Sequence, residues 1–164
     1  MSASEDHYVI DEPYPTITRR NAENDYSTGY AIRKGGTFDK ANTGNGNCYN
    51  AAEIFRATEA LLNYMEAEYM LTNSLSGKVL EYWKDERKAA GFTGEAVNPQ
   101  VTIDATEMSK ETADWGSYSA GKQLTDKILY NIRRERRCEL ISEGLRGMDL
   151  QRWRSYDQLM TTPA

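Results

Sequence analysis

The segment 124–153 constrains the fold more than any other part of the chain. It reads LTDKILYNIRRERRCELISEGLRGMDLQRW. Leu124, Ile128 and Ile132 fall four apart and form one helical stripe, and Leu129, Arg133, Arg136 and Leu140 follow a neighbouring line. The spacing predicts a helix over 124–142. Arg133, Arg134, Arg136 and Arg137 spread around most of its circumference, so they cannot all face one ligand. Arg136 is bracketed on its own face by Ile132 and Leu140. A wholly solvated basic run would not place an arginine there. The helix therefore carries arginines into the protein, where acids must meet them.

A second periodic segment supplies those acids. AAEIFRATEALLNYMEAEYMLTNS (51–74) repeats Ile54, Thr58, Leu61, Leu62, Met65 and Tyr69 at helical spacing, with Asn50 as the cap and Glu53 at the third position. Glu59 and Glu66 are seven apart and lie on nearly the same face, and Arg56 stands three before Glu59. Within the arginine helix, Arg136 stands three before Glu139. The expected structural ion-pair network is Arg56, Glu59, Glu66, Arg133, Arg136 and Glu139. Arginine suits it, because the guanidinium donates in a bidentate fork and stays charged.

Between these segments, GKVLEYWKDERKAAG (77–91) sets Val79, Leu80, Trp83 and Arg87 on one face, with Gly91 as the stop. A short turn joins it to the 51–74 helix, so the two are expected to pack as an αα-hairpin. Residues 27–39 alternate weakly between glycines and read as a short strand or hairpin, and 39–50 read as a turn-rich loop. The long polar stretch 92–123 admits a short helix near 104–114 capped by Asp104. No second copy of the hairpin recurs at a fixed period.

Composition narrows function. The chain has 164 residues and a formal charge of -5, whereas a duplex nucleic-acid binder usually carries a basic surplus. Its mean hydropathy of -0.75 is low for a self-sufficient domain and points to large polar loops or to a piece of something bigger. One histidine, His7, and two distant cysteines, Cys48 and Cys138, leave almost no material for zinc sites or for Ser-His or Cys-His catalysis. The two cysteines are either free thiols or a single bridge. No metal or cofactor is expected. No apolar run approaches the ~20 residues of a membrane span, and the N-terminal residues lack the pattern of a signal peptide. NTGNGNC (42–48) lacks the Gly-Lys-Ser/Thr ending of a phosphate loop and the closing glutamate of an EF-hand, so it reads as a turn. No pair of carboxylates is placed as a glycosidase needs. An enzyme is not expected.

The motifs themselves resemble a known family. LYNIRRERRCELISEGLRGMDLQRWR is similar to the late helical motif of the SusD/RagB-like proteins, the outer-membrane nutrient-binding lipoproteins of Bacteroidetes. Arg134, Glu135, Arg136, Glu139, Leu140, Glu143, Gly144, Arg146, Asp149, Leu150, Arg152 and Trp153 fit it. Phe55, Arg56, Glu59, Leu62, Tyr64, Glu66 and Ala67 resemble an earlier helical element of the family. STGYAIRKG (27–35) and DWGSYSAGK (114–122) resemble its flanking strand and loop.

The resemblance implies a mainly α fold, a TPR-like scaffold of αα-hairpins with long loops and a short β-hairpin. It divides the chain into an irregular segment 1–25, a single helical domain 26–160 and a tail 161–164, a C-terminal-half fragment of a longer protein. It implies non-enzymatic nutrient binding for polysaccharide utilisation, with a TonB-dependent SusC-like transporter and an oligo- or polysaccharide as partners and no nucleic acid. The location implied is the cell-surface face of the outer membrane, through a lipid anchor outside this chain. The alternative is a helical protein-protein interaction module with no small ligand. The matched motifs are scaffold motifs and carry no ligand-binding residue by position.

Aromatic rings grip sugars by stacking on their C–H faces. Trp115 and Tyr118, in the polar stretch, are the candidates for ligand contact, and the competing reading is that both rings pin the loop to the core. Tyr26 and Tyr30 carry the same two readings. Trp83 and Trp153 sit on helix faces and are expected in the core.

Overall fold

The computed structural model describes residues 54–159 without a break, together with Ile32, Lys34, Gly35, Lys40–Asn42, Gly46 and Tyr49. The chain divides into two units, Met1–Ile54 and Phe55–Ala164. In the first, the described residues include a 3-10 turn at Lys40–Asn42, and the Asn42 amide donates to the Tyr49 hydroxyl at 3.0 Å. The expected strand at 27–39 and turn at 39–50 fall mostly outside the described residues, as do His7, Tyr26, Tyr30, Cys48, Asn50 and Glu53.

The second unit is mainly helical. Its α-helices are α1 (Ala57–Thr72), α2 (Gly77–Ala89), α3 (Pro99–Ala105), α4 (Lys127–Glu139) and α5 (Arg146–Arg152). A two-stranded antiparallel sheet, β1 (Tyr118–Ser119) and β2 (Lys122–Gln123), pairs Tyr118 with Gln123 and Ser119 with Lys122. Its turn places Ala120 and Gly121 at φ 51 and 76, the left-handed pair a two-residue hairpin needs.

Caps explain most boundaries. The Ser76 hydroxyl accepts from Val79 N at the start of α2, and the Asp126 carboxylate accepts from Ile128 N and Leu129 N at the start of α4. Gly91, at φ 91, ends α2 as expected, with Gly91 N bonded to Lys88 O and Phe92 N to Arg87 O. Two expected helices shift. α3 lies before the predicted 104–114, because Asn98 caps it and Pro99 occupies its first position, leaving Asp104 near its end. α1 starts at Ala57 rather than near 51. Arg56 is extended at φ -120 and ψ 152, and Ile54, which the sequence pattern put on the apolar stripe, is 97% exposed.

The core joins all four longer-range partners of this unit. Leu62, Met65 and Tyr69 of α1 meet Val79 and Trp83 of α2, Ile103 of α3, and Ile132 and Leu140 from α4 and its end. Each fully buried aliphatic side chain contributes about 1.5–3 kcal/mol. Trp83 and Trp153 are both buried. α1 and α2, joined by residues 73–76, pack on each other, and α4 packs on α1 and α3. This lays the arginine helix against the glutamates of α1.

Candidate functional site

Each of the four arginines in the run finds an acid within the fold. Arg136 Nε lies 2.8 Å from both Asp149 carboxylate oxygens, and its Nη1 donates to Asn63 Oδ1 at 2.7 Å. Arg137 Nη1 is 2.5 Å from Asp114 Oδ2, and Arg134 Nη1 is 3.6 Å from Glu111 Oε1. Arg133 is buried, with Nε 3.7 Å from Glu66 Oε1 and Nη1 donating to Tyr118 O at 3.2 Å. Burial pushes the Arg133 guanidinium down to about 10, against the opposing pull of Glu66.

Glu66 is the hub on α1. It is 1% exposed, and it accepts from Trp153 Nε1 and Arg152 Nη2, both at 2.7 Å. Three guanidiniums lie over the Trp153 ring: Arg133 at 4.8 Å, Arg146 at 5.3 Å and Arg152 at 5.4 Å. Such stacking satisfies a desolvated guanidinium face that no acceptor reaches. The Arg56 side chain turns to the end of α4, donating to Glu143 Oε1 at 2.6 Å and Glu139 Oε1 at 3.1 Å. Arg56 is the cap of α1, and its extended backbone is the ordinary conformation there. Hydrogen bonding to Glu143 holds the Arg56 guanidinium above its usual range.

Of the residues expected to form one network, the structure brings Arg133 to Glu66 and Arg56 to Glu139. It directs Arg136 to Asp149, not to a glutamate of α1. Glu59 is half-buried and has no ion pair among the described residues. The sequence reading missed Asn63, Arg87, Glu111, Asp114, Glu135, Glu143, Asp149 and Arg152 as partners. Arg87 carried a signal, since it shares an apolar face with Trp83. It is buried, and its Nε and Nη2 donate to Glu135 at 3.1 and 2.9 Å.

Glu86 of α2 is a buried acid near Thr58, Glu139 and Arg56, and burial raises it above its ordinary value of 4.5, with Glu139 adding to the shift. An acid raised on folding stabilises the fold least when it must ionise. Its contribution is full below pH ~4.5 and is lost as pH rises through the folded value. Glu86→Gln is therefore expected to raise the melting midpoint at pH 7. The gain should vanish near pH 4, which parallel thermal melts at the two pH values would check.

The polar stretch before α4 is held by the same chemistry. Asp114 accepts from Gly116 N at 2.9 Å, pairs with Arg137, and lies 3.5 Å from Arg146 Nη2. The Tyr130 hydroxyl points between Glu111 Oε2 and Asp114 Oδ2, at 2.8 and 3.0 Å. Burial, then the hydrogen bond to Glu111, pushes this phenol well above its usual range. Ser117 is fully buried and donates from Oγ toward Glu111 O and Asp114 O. A β-carbon on Gly116 would come within 3.3 Å of Asp114 Oδ1 and 3.5 Å of the Trp153 ring, so the loop packs closely there.

On this support stand Trp115 and Tyr118, both half-buried. Trp115 opens a 3-10 turn, Trp115–Ser117. The Tyr118 hydroxyl donates to Thr112 O at 3.1 Å, and its carbonyl accepts from Arg133 Nη1 and Ser155 Oγ. Among the described residues no group of three or more His, Cys, Asp or Glu is arranged to hold a metal ion. No helix among them is long and apolar enough to cross a membrane. Cys138 is exposed and free.

The sequence profile of the SusD family matches residues 5–164. The chain belongs to the SusD family. That family is one of non-enzymatic proteins that bind nutrients, carbohydrates above all, in outer-membrane uptake systems, and its members are outer-membrane-associated lipoproteins. No curated protein and no solved structure matches the chain. In this SusD-family chain the two helical motifs, far apart in sequence, are tied together by Arg56 to Glu139 and Glu143, and by Glu66 to Arg152 and Trp153.

Proposed function

We propose that this chain binds a glycan, without catalysis, for a TonB-dependent uptake system of the outer membrane. The observation that carries this reading is the family match across residues 5–164. Within it, Trp115 and Tyr118 contact the sugar. The support for these two rings is their partial exposure on a loop fixed at Asp114 by Arg137 and Tyr130. A ring held in place before binding loses little conformational entropy when a sugar stacks on it. The partner that receives the ligand is a SusC-like transporter, with the protein lipid-anchored on the cell-surface face beside it.

Affinity electrophoresis through gels cast with a panel of polysaccharides tests this. At least one polysaccharide should retard the protein, and Trp115→Ala should weaken that binding by roughly tenfold, about 1.4 kcal/mol. Trp115→Phe should keep most of it. Migration unchanged by every polysaccharide would overturn glycan binding. Retardation unaffected by Trp115→Ala would move the site away from this loop.

A further inference from the structure

The loop that carries Trp115 meets more positive charge than its own acids neutralise. Arg134 and Arg137, one turn apart on α4, face Glu111 and Asp114 of the loop. Arg146, at the start of α5, approaches the other oxygen of Asp114, with Nη2 3.5 Å from Oδ1. Three guanidiniums share two carboxylates, on a chain whose formal charge is -5. The two acids are also committed elsewhere. Asp114 accepts from Gly116 N and from the Tyr130 hydroxyl, which also reaches Glu111 Oε2. Arg134 Nη1 is left 3.6 Å from Glu111, and at such distances an ion pair is too long for a good hydrogen bond. Arg146 Nη1 is buried with no hydrogen-bond partner among the described residues. Burial, aided by the like charge of Arg137, pulls the Arg146 guanidinium below its usual range against the attraction of Asp114.

A structural arginine in this fold looks different. Arg87 is buried, and its donors are taken by Glu135, Ala96 O and Thr102 Oγ1. Arg134, Arg137 and Arg146 are only half-buried and keep donors to spare. On the hairpin side of the same loop Lys122 and Arg154 are exposed, and Asp157 lies beside Gly121. Such an arrangement takes up an anion. The guanidinium fork matches a planar oxyanion, and an added negative charge relieves the repulsion between Arg137 and Arg146, which share one acid. Trp115 directly follows that acid in the chain. We propose that the glycan bound at Trp115 is acidic, and that Arg134, Arg137 and Arg146 receive its carboxylate or sulfate group. The proposal rests on glycan binding at this loop and narrows the ligand to a class.

Matched polymers test it, in affinity electrophoresis of the whole chain. Polygalacturonate and alginate are each compared with their carboxyl-reduced forms, and dextran sulfate with dextran, so that each pair differs in the anion. At least one acidic polymer should bind tenfold or more tightly than its neutral counterpart, and the difference should shrink as salt rises from roughly 50 to 500 mM. A preference confined to the uronates assigns the carboxylate, and one confined to dextran sulfate assigns the sulfate. Arg137→Gln should weaken the acidic binding roughly tenfold. Arg134→Gln guards against a loosened loop, because it removes a charge held only by the 3.6 Å contact. It should weaken binding several-fold with an unchanged melt. Equal binding of acidic and neutral counterparts, or binding only of neutral polymers, overturns the proposal and leaves glycan binding standing. Acidic binding that survives both substitutions overturns the role of these arginines. Binding of no polymer at all overturns the proposal together with the glycan function beneath it.

Discussion

Replacing Glu66 by alanine is expected to lower the melting midpoint by on the order of 10 °C or more. The carboxylate is 1% exposed, accepts from Trp153 Nε1 and Arg152 Nη2, and lies 3.7 Å from Arg133 Nε in an ion pair. Its removal leaves Arg133, itself buried, without its acid and strands the indole N–H. Losing one partner of a buried pair costs roughly 3–5 kcal/mol, and each kcal/mol moves the midpoint of a chain near this size by about 2–4 °C. Arg152 loses less, being 44% exposed and free to take up water. Glu66→Gln separates the two losses, since it keeps an acceptor for Trp153 but offers Arg133 no charge, and its midpoint should fall between those of the parent and the alanine variant. Circular dichroism melts are sufficient. A midpoint for Glu66→Ala within a couple of degrees of the parent would refute the idea that this carboxylate holds α1 to α4 and α5.

The second large effect is at Arg136. Its side chain is 4% exposed and that of Asp149 5%. Among the described residues, Arg136→Ala leaves Asp149 with only Arg152 Nη2 at 3.2 Å, and a loss of about 3 kcal/mol is expected in urea denaturation. Asn63 is exposed and exchanges its lost donor for water, so it adds little. The informative contrast is the double variant Arg136→Met with Asp149→Leu. Removing both charges strands neither, and apolar side chains of similar size refill the space, so most of the stability should return. If the double variant is as unstable as Arg136→Ala, the cost comes from lost packing and not from a stranded carboxylate.

These two variants also mark how far the residues alone could be read. The apolar spacing around Arg136 already required that arginine to enter the protein, because Ile132 and Leu140 flank it on the same face. The partner was another matter. Glu59 and Glu66 look equivalent on a helical wheel, seven residues apart. Yet Glu66 is buried under Trp153 and Arg152, while Glu59 lies outside the network among the described residues. Which of two like residues is used depends on where α5 crosses α1, and no local pattern encodes that. Asp149 was hidden for a similar reason. It comes from the next helix, and only the turn after α4 brings it beside Arg136. Arg56 follows the same logic, since its acids, Glu139 and Glu143, lie far along the chain.

For Trp115 and Tyr118 the sequence offered only residue type and a polar neighbourhood. The order in that loop comes from Asp114, Tyr130, Arg137 and Ser117, which lie as far as helix α4 and converge only in three dimensions.

By itself the sequence determined that the chain is mainly helical, where α2 stops, that Arg136 enters the protein, and to which family the chain belongs. Those are properties of spacing, caps and motif order, and each is decided within a few turns of chain. Only the tertiary structure decided which acid meets which arginine, and what fixes the loop beneath Trp115. A buried charge is tolerated only where a partner arrives from elsewhere in the chain, so its pairing depends on how the helices cross.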